Sequence, residues 1–167
     1  MLCGLGFDAQ VAHDFAKQKK RGLSTYIKQS AKNFFKAYPY PFELNINGRI
    51  INTDAFFIII ANSNQFGNHF TIAPQASLHD GLLDIVVVNK MSKMRMIWTV
   101  LKQIRNGQVQ MYEDKKYLSN NIHYFQTKKL QVQNPAMAPL HIDGDPMDTA
   151  GTFEIEIIEN AFKLIMP

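Results

Sequence analysis

The chain has 167 residues, 46% hydrophobic and 19% charged, with a formal net charge of +4. This composition is typical of a globular domain with a substantial core, and it excludes a disordered chain. With a single cysteine, Cys3, the chain can form neither an internal disulfide nor a cysteine zinc cluster, which favours a reducing compartment. The sequence predicts neither a transmembrane helix nor a signal peptide.

The first quarter of the chain predicts helices. Residues 2–7, with two glycines, are typical of a short strand or turn, and Asp8 is expected to cap a helix over residues 9–17. Apolar residues at helical spacing predict a stronger helix over residues 23–38, which ends before Pro39. Because the sequence begins with apolar, glycine-rich residues and no leading element, we expect a domain cut from a longer protein.

The rest of the chain favours strands. Asn47-Gly48 is a strong signal for a tight hairpin, because both central positions need positive φ. A helix is predicted from Ser92 to Ile104. The predicted strands cover residues 42–46, 49–60, 82–89, 122–133, 140–142, 153–158 and 161–166. The predicted fold class is therefore mainly β (α+β), an antiparallel β-sandwich-like domain over residues 1–167 with a few peripheral helices.

A long polar segment, residues 61–84, joins two of these predicted core strands. Loops of this length in compact domains are usually functional or disordered. Phe66, Phe70 and Ile72 favour an ordered loop packed on the body. A functional site is therefore expected here.

The end of this segment, Ser77-Leu78-His79-Asp80-Gly81-Leu82, could hold a hard cation. A tight turn can aim side-chain and main-chain oxygens at one point, as such cations require. With one certain carboxylate, a plain turn is the favoured interpretation of the local sequence.

A second acidic motif, Asp143-Gly144-Asp145, follows a predicted buried strand. Closely spaced carboxylates can raise one another's pKa and act as a general base, or can bind a metal-nucleotide. On local sequence alone, an acidic turn is again favoured.

The two glycines of Gly4-Leu5-Gly6-Phe7-Asp8 could let the backbone approach phosphates, but the motif lacks the third glycine of the dinucleotide-binding fingerprint. A structural turn is the simpler interpretation. The five histidines are scattered without helical pairing, so none is expected to bind zinc. They are His13, His69, His79, His123 and His141.

Taken together and in order, four segments resemble the C-terminal domain of the bacterial diacylglycerol kinase-like lipid kinases, in the superfamily of diacylglycerol and sphingosine kinases. The most distinctive segment is Ala73-Pro74-Gln75-Ala76-Ser77-Leu78-His79-Asp80-Gly81-Leu82-Leu83-Asp84. The supporting segments are Gly6-Phe7-Asp8-Ala9-Gln10-Val11, the stretch from Ala61-Asn62 to Phe66-Gly67, and Asp143-Gly144-Asp145. The resemblance covers essentially the whole chain.

The resemblance implies a two-domain enzyme that transfers the γ-phosphate of ATP to a lipid hydroxyl, such as that of diacylglycerol. The Gly-Gly-Asp-Gly-Thr loop of the family's N-terminal ATP-binding domain does not occur in this chain. ATP, the co-substrate, would thus be bound mainly by that absent domain, and this chain alone is expected to be inactive. Mg²⁺ is the implied cofactor.

The resemblance also implies roles for individual residues. Asp143 matches the first residue of the family's Asp-Gly-Glu motif and would be the base or orient the lipid hydroxyl. Asp145, also expected to be catalytic, replaces the glutamate and is one methylene shorter. The implied metal ligands are Asp80, the Leu82 carbonyl and a Ser77 oxygen. The implied cofactor-binding residues are Gly6, Asp8 and Asn62.

Two other functions stay open. The chain could be a non-catalytic β domain that binds lipid or another small ligand; a Gly-Gly-Asp-Gly-Thr loop in the same reading frame would argue against this. Basic residues near Lys17–Arg21 and Lys128–Lys129 could bind nucleic acid, with an affinity that falls steeply as the salt concentration rises. Ordinary solvated lysines are the favoured interpretation, and no nucleic-acid partner is expected. The expected partners are a lipid alcohol, the absent kinase domain and the membrane surface. The expected location is the cytoplasm, or the inner face of the membrane as a peripheral protein. A homodimer stays open.

Overall fold

The computed structural model describes residues 2–18, 22–63, 73, 76–95, 121–159 and 161. The predictions for Phe66, Phe70 and Ile72, for most of the helix from Ser92 and for the last strand lie outside the described residues. The described elements are β1 (Leu2–Gly6), α1 (Phe7–Ala16), α2 (Leu23–Lys36), β2 (Tyr40–Ile46), β3 (Arg49–Ala61), β4 (Leu83–Asn89), β5 (Ile122–Thr127), β6 (Lys129–Gln133), β7 (Leu140–Ile142), β8 (Asp145–Met147) and β9 (Thr152–Glu156).

Strand β3 is the centre of the fold. Its first half pairs with β2, and its second half pairs with β1 on the same edge and with β4 on the other edge. Strands β7 and β8 extend the sheet beyond β1, β5 extends it beyond β4, and β6 and β9 extend it beyond β2. All pairings among the described strands are antiparallel. A register shift between Ala55 and Phe57 marks the irregularity where β3 passes from one group of strands to the other.

The side chains of β3 point alternately into two hydrophobic clusters. Ile58 and Ile60 belong to the first cluster, where β1, β4 and β7 face β2, β6 and β9. Phe57 and Ile59 belong to the second cluster, which Phe7 and Phe34 of the two helices cover on its outer side. Because β3 is buried on both faces in this half, it has a continuous apolar run rather than an alternating pattern. The fold is mainly β and sandwich-like, as predicted.

Two tight hairpins have positive φ at both central residues. Asn47 (φ 52°) and Gly48 (φ 83°) join β2 to β3, which confirms the predicted hairpin. Asp143 (φ 50°) and Gly144 (φ 89°) join β7 to β8 in the same way. This conformation suits asparagine, aspartate and glycine and matches the twist of paired strands. The acidic turn is thus shorter than predicted, because Asp145 already belongs to β8.

Two local predictions were wrong. Residues 122–133 form two strands rather than one, because β5 pairs with β4 whereas β6 pairs with β2 and β9. The chain changes partners at Lys128, where the hydroxyl of Thr127 donates to the Lys129 carbonyl. Asp8 does not cap α1: the N-cap is Gly6, and the Asp8 carboxylate lies within the first turn and contacts another strand.

Paired substitutions within β3 test the two-layer core. Ile58→Ala should lower the free energy of unfolding by about 2–5 kcal/mol, because the side chain is fully buried and its removal leaves a cavity. Ile50→Ala, in the same strand but 58% exposed, should change it by less than about 0.5 kcal/mol. Urea denaturation of both variants measures the difference, and equal effects would contradict the assignment of Ile58 to the core.

The thiol of Cys3 provides a second test. Cys3 lies in β1 between β3 and β7, and its pKa is raised to about 12, first by burial and then by the negative charges of Asp8 and Asp143. Since the thiolate is the reactive form, Cys3 should react with a disulfide reagent at pH 8 far more slowly in the folded chain than in urea. Equal rates in the two states would contradict the position of this half-buried thiol between β3 and β7.

Candidate functional site

Several predicted site residues meet at one end of the sheet. Leu2 of β1, Ala61 of β3, Asp84 of β4 and Gln126 of β5 are cross-strand neighbours in one row. Adjacent strands are about 4.8 Å apart, so the row is about 14 Å long. Asn62 follows Ala61 directly, just beyond the end of β3. This end of the sheet therefore brings together segments that lie far apart in the sequence.

The acidic turn is fixed to this row through Asp143. The backbone amide of Leu2 donates to Asp143 Oδ1 at 2.7 Å, and the amide of Asp143 donates to the Leu2 carbonyl at 2.7 Å. Asp143 and Asp145 are both exposed. The turn therefore presents two carboxylates to solvent, and one of them is oriented by a main-chain hydrogen bond.

Beneath this turn lies a buried polar pair. His141 of β7 is 2% exposed, and its Nε2 is 2.9 Å from Oδ2 of Asp8, whose side chain is 11% exposed. Burial raises the pKa of the Asp8 carboxyl, and the contact with His141 opposes this shift. Asp8 was predicted to bind the cofactor, but in the structure its carboxylate turns inward toward His141.

The nearby glycines leave room for this arrangement. Gly4 pairs directly with His141, and a Cβ on Gly4 would lie 2.1 Å from Asp8 Oδ2 and 2.3 Å from His141 Nε2. Gly6 has φ 99°, and a Cβ there would lie 2.5 Å from the Phe56 carbonyl oxygen. Tight packing therefore accounts for both glycines, whereas the predicted contact of Gly6 with a cofactor stays a prediction.

The predicted metal turn lies beside the other end of the row. The amide of Leu82 donates to Asp80 Oδ1 at 3.0 Å, and the amide of His79 contacts Ser77 Oγ at 3.3 Å. The first bond fixes the Asp80 carboxylate against the main chain of Leu82. Asp80 is exposed, so its other carboxylate oxygen can be approached from solvent.

Asp84 is a buried carboxylate that sequence reasoning did not assign to the site. Its Oδ1 accepts from the Tyr124 hydroxyl and, at 3.0 Å, from Gln126 Nε2. Its Oδ2 has no hydrogen-bond partner among the described residues, and the same holds for Asn62 Oδ1. The Asp84 pKa is raised to about 6 as the net result of three effects: burial, the largest, raises it, the Gln126 bond lowers it, and the charge of Asp80 raises it.

The donor set of this turn fits a hard cation that keeps most of its water ligands. A carboxylate, a hydroxyl and a main-chain carbonyl are oxygen ligands of the type that Mg²⁺ prefers. The unpaired oxygen of Asp84 and the neighbouring negative charge of Asp80 would both be stabilised by such an ion. The described residues contain no group of three or more His, Cys, Asp or Glu side chains that could replace those water ligands.

Two contributors to this site, His141 and Asp84, were not predicted. The available signal was a polar residue within a buried strand, since His141 follows Leu140 and Asp84 precedes Ile85 in apolar runs. Such residues usually need a specific partner. Their partners, Asp8 and Tyr124, are distant in sequence and could be identified only from the fold.

Neither α1 nor α2 is long and apolar enough to cross a membrane, and no other helix in the described ranges is.

Comparison with known proteins identifies related sequences over nearly the whole chain. Residues 2–166 match the family model described as the YegS C-terminal NAD kinase beta sandwich-like domain. A protein named "Probable lipid kinase YegS-like" from Shewanella frigidimarina is 28% identical over 166 residues, covering 97% of this chain and 50% of the relative. One of the same name from Chromohalobacter salexigens is 24% identical over 147 residues, covering 87% of this chain and 45% of the relative. The chain thus spans about half the length of the curated relatives it matches.

Solved structures share the fold. A protein of Bacillus anthracis str. Sterne with a proposed diacylglycerol kinase activity superposes with a TM-score of 0.66 at 16% identity, over 94% of this chain and 49% of that chain. A second structure of such a protein from the same strain gives a TM-score of 0.62 at 19% identity, with the same coverage. At these identities the likeness concerns the fold, whereas the family match concerns the sequence. The chain belongs to the family of YegS C-terminal NAD kinase beta sandwich-like domains.

Proposed function

We propose that this chain is the C-terminal domain of an ATP-dependent lipid kinase, which transfers the γ-phosphate of ATP to the hydroxyl of a diacylglycerol-like lipid. The observation that carries the proposal is the meeting of the Asp143-Gly144-Asp145 turn, Asn62 and the Asp80 turn at one end of the sheet. Phosphoryl transfer depends on positioning, on charge stabilisation and on a base near the attacking hydroxyl. The family membership and the names of the relatives support the same reaction.

The two carboxylates of the acidic turn have different roles in this proposal. Oδ1 of Asp143 accepts a hydrogen bond from the Leu2 amide, which holds this carboxylate in one orientation. Asp143 therefore orients the lipid hydroxyl. Asp145 accepts the proton of the lipid hydroxyl while the hydroxyl oxygen forms a bond to the γ-phosphorus. At the same time the bond between the γ-phosphorus and the β–γ bridging oxygen breaks, and ADP is released.

In this proposal ATP is bound mainly by the remainder of the kinase, since the chain spans about half of its relatives and its sequence does not contain Gly-Gly-Asp-Gly-Thr. Gly6, Asp8 and Asn62 lie in segments that would face or support this bound nucleotide. In this proposal the chain contributes the lipid side of a cleft and the acidic turn. The isolated chain is therefore expected to turn over no ATP.

Asp80, Ser77 and the Leu82 carbonyl would hold a Mg²⁺ ion. Bound there, the ion would offset the negative charges of Asp80 and Asp84 and brace the turn before β4. This role is structural support of the site, separate from any ion that accompanies ATP.

A lipid substrate requires contact with a membrane surface. Phe35 in the last turn of α2 is 73% exposed, Tyr38 just beyond the end of this helix is 60% exposed, and Met94 is 67% exposed. The Lys93 ammonium lies beside Phe35, since it donates to the Phe35 carbonyl. Exposed aromatics beside basic residues suit the interface of an anionic bilayer, which supports a peripheral location at the inner face of the membrane.

Carboxamide variants of the acidic turn test the reaction. The complete reading frame that contains this chain would be expressed and assayed with lipid alcohols, ATP and Mg²⁺. Asp145→Asn should lower kcat about 100-fold or more, because the base is lost. Asp143→Asn should lower kcat about 10-fold, since its Oδ1 is retained but the charge is lost. Asp148→Asn, an exposed residue of the same segment, is the matched control and should match the parent.

Two outcomes would contradict this assignment. If the complete protein binds lipid vesicles but transfers no phosphate to any lipid alcohol, the chain belongs to a non-catalytic lipid-binding protein. If Asp145→Asn retains the activity of the parent, proton acceptance by Asp145 is wrong.

Magnesium binding can be measured on the chain itself. Millimolar Mg²⁺ should raise its Tm by a few degrees, because an ion that binds only the folded state adds RT ln(1 + [Mg²⁺]/Kd) to stability. Asp80→Asn should remove this shift and Asp148→Asn should retain it. An equal Tm shift in the parent and in Asp80→Asn would rule out this turn as the binding site.

A further inference from the structure

His141 connects three parts of the molecule through its two ring nitrogens. Nε2 lies 2.9 Å from Asp8 Oδ2 on α1, and Nδ1 lies 3.2 Å from the amide nitrogen of Gly144 in the acidic turn. The ring itself belongs to β7 and is 2% exposed. A single buried side chain thus contacts both the helix and the turn that carries the proposed catalytic carboxylates.

The Gly144 contact determines where the imidazole proton lies. A backbone amide can only donate, so Nδ1 must accept and must be without a proton. The single proton of a neutral imidazole is therefore on Nε2, from which it is donated to Asp8 Oδ2. By accepting this hydrogen bond, Asp8 fixes the tautomer of His141 that the bond from Gly144 requires, as carboxylates often do for functional histidines.

We propose that His141 is a positioning residue, which holds the Asp143-Gly144-Asp145 turn through the hydrogen bond from the Gly144 amide to its Nδ1, and that Asp8 sets the tautomer of His141 that this bond requires. This inference rests on the proposed lipid kinase function for its kinetic consequence, but the bond itself does not depend on that function. Because the side chains of His141 and Asp8 are only 2% and 11% exposed, both act through the turn rather than by direct contact with a substrate.

The turn needs this anchor because of its exposure. Asp143, Gly144 and Asp145 are all exposed, and β8 is a short strand whose described pairing is to β7 alone. The Leu2 contacts hold Asp143 on one side, and the His141 contact holds Gly144. Without the second contact, Asp145 would sample a wider range of positions, and small displacements of a catalytic group are costly.

Two substitutions at one position separate the two contacts of His141. The side-chain amide of Asn can place its oxygen near the position of Nδ1, so His141→Asn keeps an acceptor for Gly144 and loses the donor to Asp8. Gln can place its amide near the position of Nε2, so His141→Gln keeps a donor to Asp8 and loses the acceptor for Gly144. His13→Ala removes a different bond between α1 and β7, from His13 Nε2 to the Leu140 carbonyl, and controls for general loosening of the helix.

The first measurement uses the chain itself and needs no enzyme activity. In the parent, ¹⁵N NMR should show His141 with a proton on Nε2 and none on Nδ1, and the Gly144 amide should be protected from hydrogen exchange. In His141→Gln, the exchange of the Gly144 amide should accelerate about 5- to 10-fold, as expected for the loss of one hydrogen bond. In His141→Asn and His13→Ala, the exchange rate should stay within about 2-fold of the parent rate.

The second measurement uses the complete kinase with lipid alcohol and ATP. His141→Gln should lower kcat about 10-fold and change KM for ATP by less than about 2-fold, because the turn acts on the reacting hydroxyl and not on nucleotide binding. His141→Asn should restore kcat to within about 3-fold of the parent. A merely structural role for His141 would affect both variants alike.

The possible outcomes separate the two proposals. Loss of Gly144 protection and of kcat in His141→Gln, with both retained in His141→Asn, supports the positioning role. Equal exchange rates and equal kcat in the two variants overturn it. If the complete protein phosphorylates no lipid alcohol, the proposed function fails; the exchange rates of Gly144 still decide whether His141 holds the turn.

Discussion

The structure depends on one strand that is hydrogen-bonded along its whole length and shared by two groups of strands. In β3, residues 49–55 pair with β2 and residues 57–61 pair with both β1 and β4. Antiparallel strands with a pleat period of two place successive side chains on opposite faces, so the apolar half of β3 contributes to both hydrophobic clusters. The positions of β1 and β4, and hence of every segment at the site, follow from their register on this strand.

Much of the fold could be predicted from the sequence because the local signals agree with the final structure. The alternation in residues 42–46 and the Asn47-Gly48 turn specify β2 and its hairpin without reference to the rest of the chain. The division at Lys128 could not be predicted in this way. No glycine, proline, asparagine or aspartate interrupts residues 122–133, and only the competition between β4 and β2 for partners decides where one strand ends and the next begins.

The roles of the candidate site residues stay predictions. Their motifs indicated the acidic turn and the Asp80 turn, and the structure brings both to the same end of one sheet. The buried contacts of Asp8 with His141 and of Asp84 with Tyr124 could not be predicted, because each joins residues that are distant in sequence. These carboxylates also lower stability: the Asp84 pKa is higher in the folded state than in the unfolded chain, so stability decreases as the pH rises from about 4 toward 6. A fold that keeps such groups is consistent with a site rather than with a purely structural domain.

The two-residue hairpin between β7 and β8 limits how this region can diverge. Side chains alternate between faces along a strand, so the length of the turn determines which face Asp145 occupies relative to Asp143. One inserted residue would shift the pairing of β8 and turn Asp145 toward the opposite side of the ribbon, although every residue of the motif was still present. In this chain the hairpin therefore constrains the spacing of the acidic motif more strongly than the side-chain length at its last position.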